Sequence, residues 1–418
     1  MKPLIYLFIS TLLLILLEVA RVYFIMPFPG SQLDDAANIS RVEVAYWLHQ
    51  NISWLRIMGL VGLVLSAVGL TRAVSQGRLS AKRGFGRWWP VGVAGVLMGA
   101  YGMVLYLVNA EMMADRMFLQ PTTKRLVSLA QNKIPVDKLV LGVYENGEAR
   151  AYPLQLIGYH HQVRDTVGGK PVMITYCTVC RTGRVYDPVL NGKGETFRLV
   201  GMDHFNAMFE DEATGSWWRQ ATGEAILGPR KGQVLGELAS PQMTLAEWSA
   251  AYPNTLVMQP DPAFKSETDS LATYDLGIKR GKLTGRDSTS WQRKSWVVGV
   301  VSNDGKVAKA FDWNQLVKQR VINSNVGNQS VVVVLAPDKL TFSVWSRVVS
   351  GRGTPGQVLM FAPTADNQLT DRETNTVWNR QGVAVAGKLV GQQLVPVRAY
   401  QEFWHSWRSF HPATAKYL

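Results

Sequence analysis

The chain has 418 residues, 47% of them apolar, and a formal net charge of +13. That length allows two or three domains with real cores. Two cysteines exclude a disulfide-stapled scaffold. A basic balance can signal nucleic acid, but the way the charge is distributed along this chain excludes that partner.

Residues 4–26, 54–71 and 90–109 are apolar runs of membrane-spanning length, a helix needing roughly 20 such residues. The first has no small-x-small cleavage site and runs into Pro27-Phe28-Pro29-Gly30, so it is read as a retained span. The second and third flank Arg72, Arg78, Lys82, Arg83 and Arg87 with no acidic residue between, whereas Asp34, Asp35 and Glu43 accompany Arg41 after the first. The positive-inside rule then predicts a cytoplasmic N-terminus at the bacterial inner (cytoplasmic) membrane, with everything after about residue 110 periplasmic. The positive charge is thus in part a topology signal. Gly95 and Gly99 suit close helix packing. Glu18 and Arg21 stand one turn apart, and Arg56 is placed to snorkel. Met112, Met113 and Met117, after the third span, read as interfacial packing, with the hand-on of a soft metal such as Cu(I) as the sharper alternative.

Beyond the membrane part the chain is written twice. Ala149-Arg150-Ala151-Tyr152 recurs as Ala308-Lys309-Ala310-Phe311, and Val167-Gly168 as Val326-Gly327. Trp248 and Pro253 recur as Trp407 and Pro412, always 159 residues on, while Asp211, Thr214 and Trp218 answer to Asp371, Thr374 and Trp378 at 160. The predicted organisation is a membrane region over 1–118, a first repeat over 119–260, a linker over 261–295 and a second, degenerate repeat over 296–418. Short β-rich runs (139–144, 172–176, 197–200) alternate with Gly, Asn and Asp turns, and one helix per copy is expected near 245–251 and 403–410. The fold class is therefore three transmembrane helices followed by a mainly-β (β-rich α+β) tandem-duplicated extracytoplasmic domain. Its copies are expected to pack as a pseudo-dimer around Trp217, Trp218 and Trp378.

Shared positions are candidates for fold and unshared ones for chemistry. Cys177 and Cys180 correspond to Ala336 and Lys339, His160 and His161 to Gln319 and Arg320, and Asp165 to Ser324. His204 and Met208 have no histidine or methionine opposite them. What the second copy lacks is a set of soft and borderline metal ligands. Two thiolates with an imidazole suit zinc, and a thioether shifts the preference to copper. The expected ligands are Cys177, Cys180 and His160, completed by His204 or Met208, with Asp165, His161 and Arg181 in support. His160 is expected to meet Cys177 across neighbouring strands. A thiol–disulfide redox pair, its thiol activated by Arg181, fits the same C-x-x-C. So does a cysteine nucleophile with His160 as base. A rival of another class is a ligand-binding or interaction module with a structural disulfide, in which Tyr176, Trp217 and Trp218 line a pocket. Whether the protein is an enzyme stays open, as does the identity of any metal-delivery or redox partner.

Ala151-Tyr152-Pro153-Leu154, His160, Asp165-Thr166-Val167-Gly168-Gly169, Tyr176-Cys177-x-x-Cys180, Thr214-x-Ser216-x-Trp218-x-Gln220-x-Thr222-Gly223 and Gly228-Pro229 resemble the DUF3179 family. This bacterial and archaeal group is named as a domain of unknown function. Thr178, Val179 and Arg181 stand where the family usually has Pro, Leu and Gly. The resemblance implies a domain architecture and an extracytoplasmic setting, places Cys177, Cys180 and His160 at motif positions, and names no reaction.

Overall fold

The computed structural model describes residues 2–26, 38–78, 88–278, 283–349 and 356–418. Pro27–Gly30, Asp34 and Asp35, and Lys82, Arg83 and Arg87 of the basic loop lie outside the described residues. The chain divides into two compact units. One is Met1–Phe118 with Arg198–His204 and Met208–Glu210. The other is Leu119–Phe197, Phe205–Ala207 and Asp211–Leu418.

Three helices long and apolar enough to cross a membrane dominate the first unit: Lys2–Tyr23, Arg41–Ser75 and Trp89–Glu111. The second exceeds its predicted span because the helix starts at Asn38, in polar sequence that an apolar window does not register. The third ends in a π-helical turn, Leu107–Glu111. Leu7, Leu14, Leu63, Leu70, Ala94 and Tyr101 form the seam. Gly95 and Gly99 do not serve it, since a Cβ on either would meet nothing within 4 Å. Gly59, where a Cβ would fall 2.4 Å from Leu14, is the close approach instead. Arg56 does not snorkel either. It forks onto Glu18 (Nε–Oε1 2.6 Å, Nη2–Oε2 2.8 Å), and both Arg56 and Arg21 bond Asn109 Oδ1. A carboxylate between apolar helices needs such donors, because an unpaired charge there costs several kcal/mol. Met113 accepts from Arg21 at 3.1 Å through its sulfur.

In the second unit the arrangement around residues 126–258 reappears around 296–417. Leu139–Glu145 and Glu148–Pro153 form a hairpin, flanked antiparallel by Gln242–Thr244 and parallel by Leu256–Met258. Trp296–Val301 and Ala308–Asp312 form another, flanked antiparallel by Ala399–Phe403 and parallel by Ala415–Tyr417. A meander follows each hairpin: Gln162–Val167, Lys170–Cys177 and Thr182–Asp187 in one, Val321–Val326, Gln329–Leu335 and Phe342–Ser346 in the other. Small details recur too. A Cβ on Gly142 or Gly299 would sit 2.2 Å from the ring of Trp248 or Trp407, so only glycine lets those indoles lie on the sheet. Trp248 and Trp407 donate their indole N–H to Thr255 and Thr414 at 2.8 and 2.9 Å.

The predicted helix at 245–251 is Leu245–Ala251, capped by Thr244 accepting from the Glu247 amide, and its counterpart is Trp404–Phe410. Two helices not expected from the sequence, Leu154–His160 and Trp313–Gln319, fill corresponding places. Each ends on a residue with positive φ, His161 (59°) and Arg320 (62°).

The two halves are joined by polar pairs and by guanidinium–aromatic contacts such as Arg184 on Tyr400 and Arg181 on Trp296, and Trp218 and Trp378 do not bond across the junction. Trp218 and Trp378 each stay within their own half, donating to Asp211 (2.8 Å) and Asp371 (3.0 Å). Between the halves, Gln242 donates to Gln401 at 2.6 Å and Tyr400 to Glu237 at 2.8 Å. Arg184 meets Glu402 at 2.6 Å with both side chains 2% exposed.

Candidate functional site

Strand Lys170–Cys177 ends on its cysteine, which pairs with Thr182 at the start of the next strand. Residues 178–181 are thus the tip of a hairpin, and Arg181 takes the left-handed conformation (φ 56°) that turns the chain back. This geometry brings the two sulfurs to one point. Cys177 and Cys180 are free, fully buried thiols, and both donate to the carbonyl of Phe205, at 3.4 and 3.0 Å.

Phe205 was not legible as a site residue. It follows His204 in the two-residue turn between strands Phe197–Asp203 and Asn206–Asp211, and both have positive φ, 50° and 63°. That position favours Asn-Gly, and holding two larger residues there costs of order 1–3 kcal/mol each. Gln220 holds the turn in place. Its side chain accepts from Asn206 (2.9 Å) and donates to Thr175 Oγ1 and the Thr182 carbonyl (3.0 Å each), and its backbone N–H donates to Ala207 O (2.9 Å). Asn206 in turn accepts from the Ala221 amide. The Thr214-x-Ser216-x-Trp218-x-Gln220 motif therefore has a structural meaning. Thr214 and Trp218 knot around Asp211, and Gln220 braces the carbonyl that receives both thiols. The second half keeps the knot (Thr374, Trp378 and Asp371) but has Arg380 where Gln220 stands, paired with Glu247. Its hairpin tip is tied by Asp338, which accepts from the amides of Leu340 and Thr341.

The two thiols are electrostatically unequal. Burial raises Cys177. Hydrogen bonds from the Cys180 side chain and from the backbone N–H groups of Cys180, Ala207 and Val179 outweigh burial, and leave the thiol below its ordinary value. Cys180 is pushed well up, by burial first and then by the neighbouring Cys177 sulfur, against the opposing pull of Lys294 and Ser406. The nearby cation is accordingly Lys294 and not Arg181, as expected from sequence. The Arg181 guanidinium turns away to Gln401 (2.8 Å) and the carbonyls of Tyr274 and Asp275, and stacks on Trp296 at 3.8 Å. Lys294 donates to the Val179 carbonyl and to His405 Nε2 (3.2 Å). Burial draws its ammonium down to about 8.

Among the described residues no three His, Cys, Asp or Glu side chains gather where they could hold a metal ion. His160 does not lie on a strand beside Cys177. It ends helix Leu154–His160, its Nδ1 bonds the Leu119 carbonyl at 2.5 Å, and its ring packs on Tyr159 and Phe264. Among the described residues none of the contacts of Asp165 is to an imidazole. It holds Tyr152 (2.7 Å) and Arg150 (2.7 Å). His161 caps that helix, and its Nδ1 bonds the Tyr159 carbonyl at 3.0 Å. His204 bonds Asp203 at 2.6 Å, and Met208 is buried, both in the first compact unit. Tyr176, Trp217 and Trp218 are at most 1% exposed and so belong to the core. Tyr176 meets the Tyr274 hydroxyl at 3.5 Å.

Residues 120–414 match the family model described as "Protein of unknown function (DUF3179)". No curated protein and no solved structure matches the chain.

Proposed function

The chain belongs to the DUF3179 family, and from that premise we propose that it is a membrane-anchored protein whose Cys177–Cys180 pair works as a dithiol/disulfide couple. The observation that carries this reading is the meeting of two free thiols on one carbonyl oxygen. The pair is asymmetric in the sense exchange chemistry needs, with one sulfur eased toward thiolate and the other kept protonated. The reaction is thiol–disulfide exchange. The Cys177 thiolate attacks one sulfur of a partner disulfide, and the partner's other sulfur leaves as a thiolate. Cys180 then attacks Cys177 Sγ, closes the 177–180 bond and releases the second partner sulfur. Its own proton goes to one of the two released thiolates. Two electrons pass to the partner. Because both sulfurs are buried, the chain over the hairpin tip has to move aside for the first attack.

The three apolar helices support an integral membrane anchor. The loop charges support an inner-membrane location with a cytoplasmic N-terminus and the part after about residue 110 in the periplasm, where such couples operate. The recurring sheets and the shared Trp–Asp–Thr knots support a tandem duplication in which the second copy retains the fold without the sulfurs. Copper or zinc on the same two thiols remains the second chemistry for this donor set. For His160 to take part it would have to leave the Leu119 carbonyl.

The test is direct. The full chain, purified in detergent and reduced, is mixed with a small-molecule disulfide and followed by intact mass under thiol-trapping conditions. The couple predicts loss of two hydrogens, reversal by a dithiol, and a trapped mixed disulfide in Cys180→Ser but not in Cys177→Ser. Thiols that stay unmodified while the protein is folded, or one stoichiometric metal ion that blocks their oxidation, would sink the proposal.

A further inference from the structure

The hairpin tip bearing the two sulfurs is held by chain from two other places. Phe403 donates its backbone N–H to the Cys180 carbonyl (2.9 Å), and Lys294 donates to the Val179 carbonyl. The next two amides, Trp404 and His405, bond the carbonyls of Ser295 and Arg293 (2.8 and 3.0 Å), which clamps the segment carrying Lys294 beside the tip. Lys294 spends its ammonium on the Val179 carbonyl, on His405 Nε2 and on the face of Phe403, 4.5 Å from the ring centroid. Among the described residues no carboxylate forms an ion pair with it. Its Asp287 neighbour is engaged through the Lys294 backbone N–H instead (2.7 Å). The other charged neighbour, Arg293, is of like sign and lies over Phe205. A cation drawn out of water needs an opposite charge. The two sulfurs supply it first here, with Asp287 as a weaker contributor.

We propose that Lys294, fixed by His405 and the Val179 carbonyl, is the positioning residue that sets the redox poise of the Cys177–Cys180 pair by favouring its reduced, thiolate-bearing form. The inference rests on the dithiol reading above. Reduction takes two electrons and two protons from an external dithiol or from glutathione, and the Cys177 thiol, held below its ordinary value, ionises more readily than Cys180 to give a product with one thiol and one thiolate. The Lys294 ammonium stabilises that product and does nothing for the neutral disulfide, so it raises the potential of the couple. The same logic makes a dithiol protein a strong oxidant whenever its reduced form is stabilised. His405, neutral because burial and the adjacent ammonium hold it well below its ordinary value, accepts from Lys294 without competing for the negative charge.

The experiment equilibrates the full-length protein in detergent with glutathione buffers at pH 7 and reads the oxidised fraction by thiol trapping. Lys294→Met and Lys294→Gln are expected to shift the dithiol/disulfide equilibrium about tenfold toward the disulfide, which is about 30 mV more reducing for a two-electron couple. Lys294→Arg keeps the charge and stays within about threefold of the native value, the allowance for a longer side chain of the same sign. The two neutral variants guard each other against misfolding, and each is first checked for a native melting transition. Superimposable titrations for the native chain, Lys294→Met and Lys294→Gln would overturn the assignment while leaving the couple intact. A native chain with no reversible couple would overturn the dithiol reading and this inference with it.

Discussion

Glu402→Gln puts the union of the two halves to a quantitative test. Arg184 leaves the cysteine hairpin two residues after Thr182, and its guanidinium reaches Glu402 at 2.6 Å with both side chains 2% exposed. It also lies 3.7 Å from Glu237 and 3.3 Å above the Tyr400 ring. An amide in place of the carboxylate keeps the shape and removes the charge, stranding a buried guanidinium. Breaking such a pair from one side costs about 3–5 kcal/mol. Glu237 remains as a second, longer partner, so the lower end, about 3 kcal/mol, is the expectation. Urea unfolding followed by tryptophan fluorescence should show a lower midpoint with an unchanged slope. The double variant Arg184→Met with Glu402→Gln should lose less than the sum of the single changes, because the stranded charge is gone. A loss below about 1 kcal/mol, the scale of a solvated surface pair, would refute the buried-pair account.

Three further expectations follow from local geometry. Gly142→Ala and Gly299→Ala force a methyl against the indoles of Trp248 and Trp407, and each should lower the melting temperature by the equivalent of about 1–3 kcal/mol. Unchanged melting would mean that the indoles do not rest on the sheet. Burial holds His161 down at about 4 against an ordinary 6.5, so the unfolded chain takes up a proton before the folded one does. That contribution to stability is complete above about pH 6.5 and lost as pH falls toward 4, by up to about 3 kcal/mol. His161→Asn, which tolerates the same left-handed backbone, should flatten that part of the stability–pH curve, and an unaltered curve would clear His161 of the role. Arg56→Met leaves Glu18 buried without its forked partner, and should cost the helical bundle roughly 3 kcal/mol, with Arg56→Lys recovering part of it. Equal resistance to denaturing detergent in all three proteins would contradict the pairing.

Much of the fold could be read because it depends on local pattern. The strand at 139–144, the helix at 245–251 and the repeat spacing are periodic or punctuated signals. The helices Leu154–His160 and Trp313–Gln319 escaped because seven residues are too few to show a period, and Gly158 interrupts the first. The candidate site divides differently. The cysteines and their convergence could be read, since C-x-x-C at a strand end allows little else. The expected approach of His160 to Cys177 across neighbouring strands does not allow for the helix Leu154–His160 that carries it. Phe205 acts through a backbone carbonyl, which leaves no mark on residue type. Lys294 and His405 reach the Val179 carbonyl from 115 and 226 residues away, and no local spacing rule points to either. Comparison between the two halves also hid His405: it corresponds to Ala246, and a histidine present in the half without sulfurs runs against the direction in which chemistry was sought. Gln220 did stand in the family motif, and Arg380 occupies the corresponding place in the second half. That contrast was the one available signal for the brace behind Phe205.

The measurement closest to the central claim is the equilibrium potential of the Cys177–Cys180 pair in the intact, detergent-purified chain. The account predicts one reversible two-electron transition between about −270 and −120 mV, the range of working dithiol proteins. A disulfide that forms only below about −300 mV, as structural bonds do, or no transition at all in the folded protein, would contradict it.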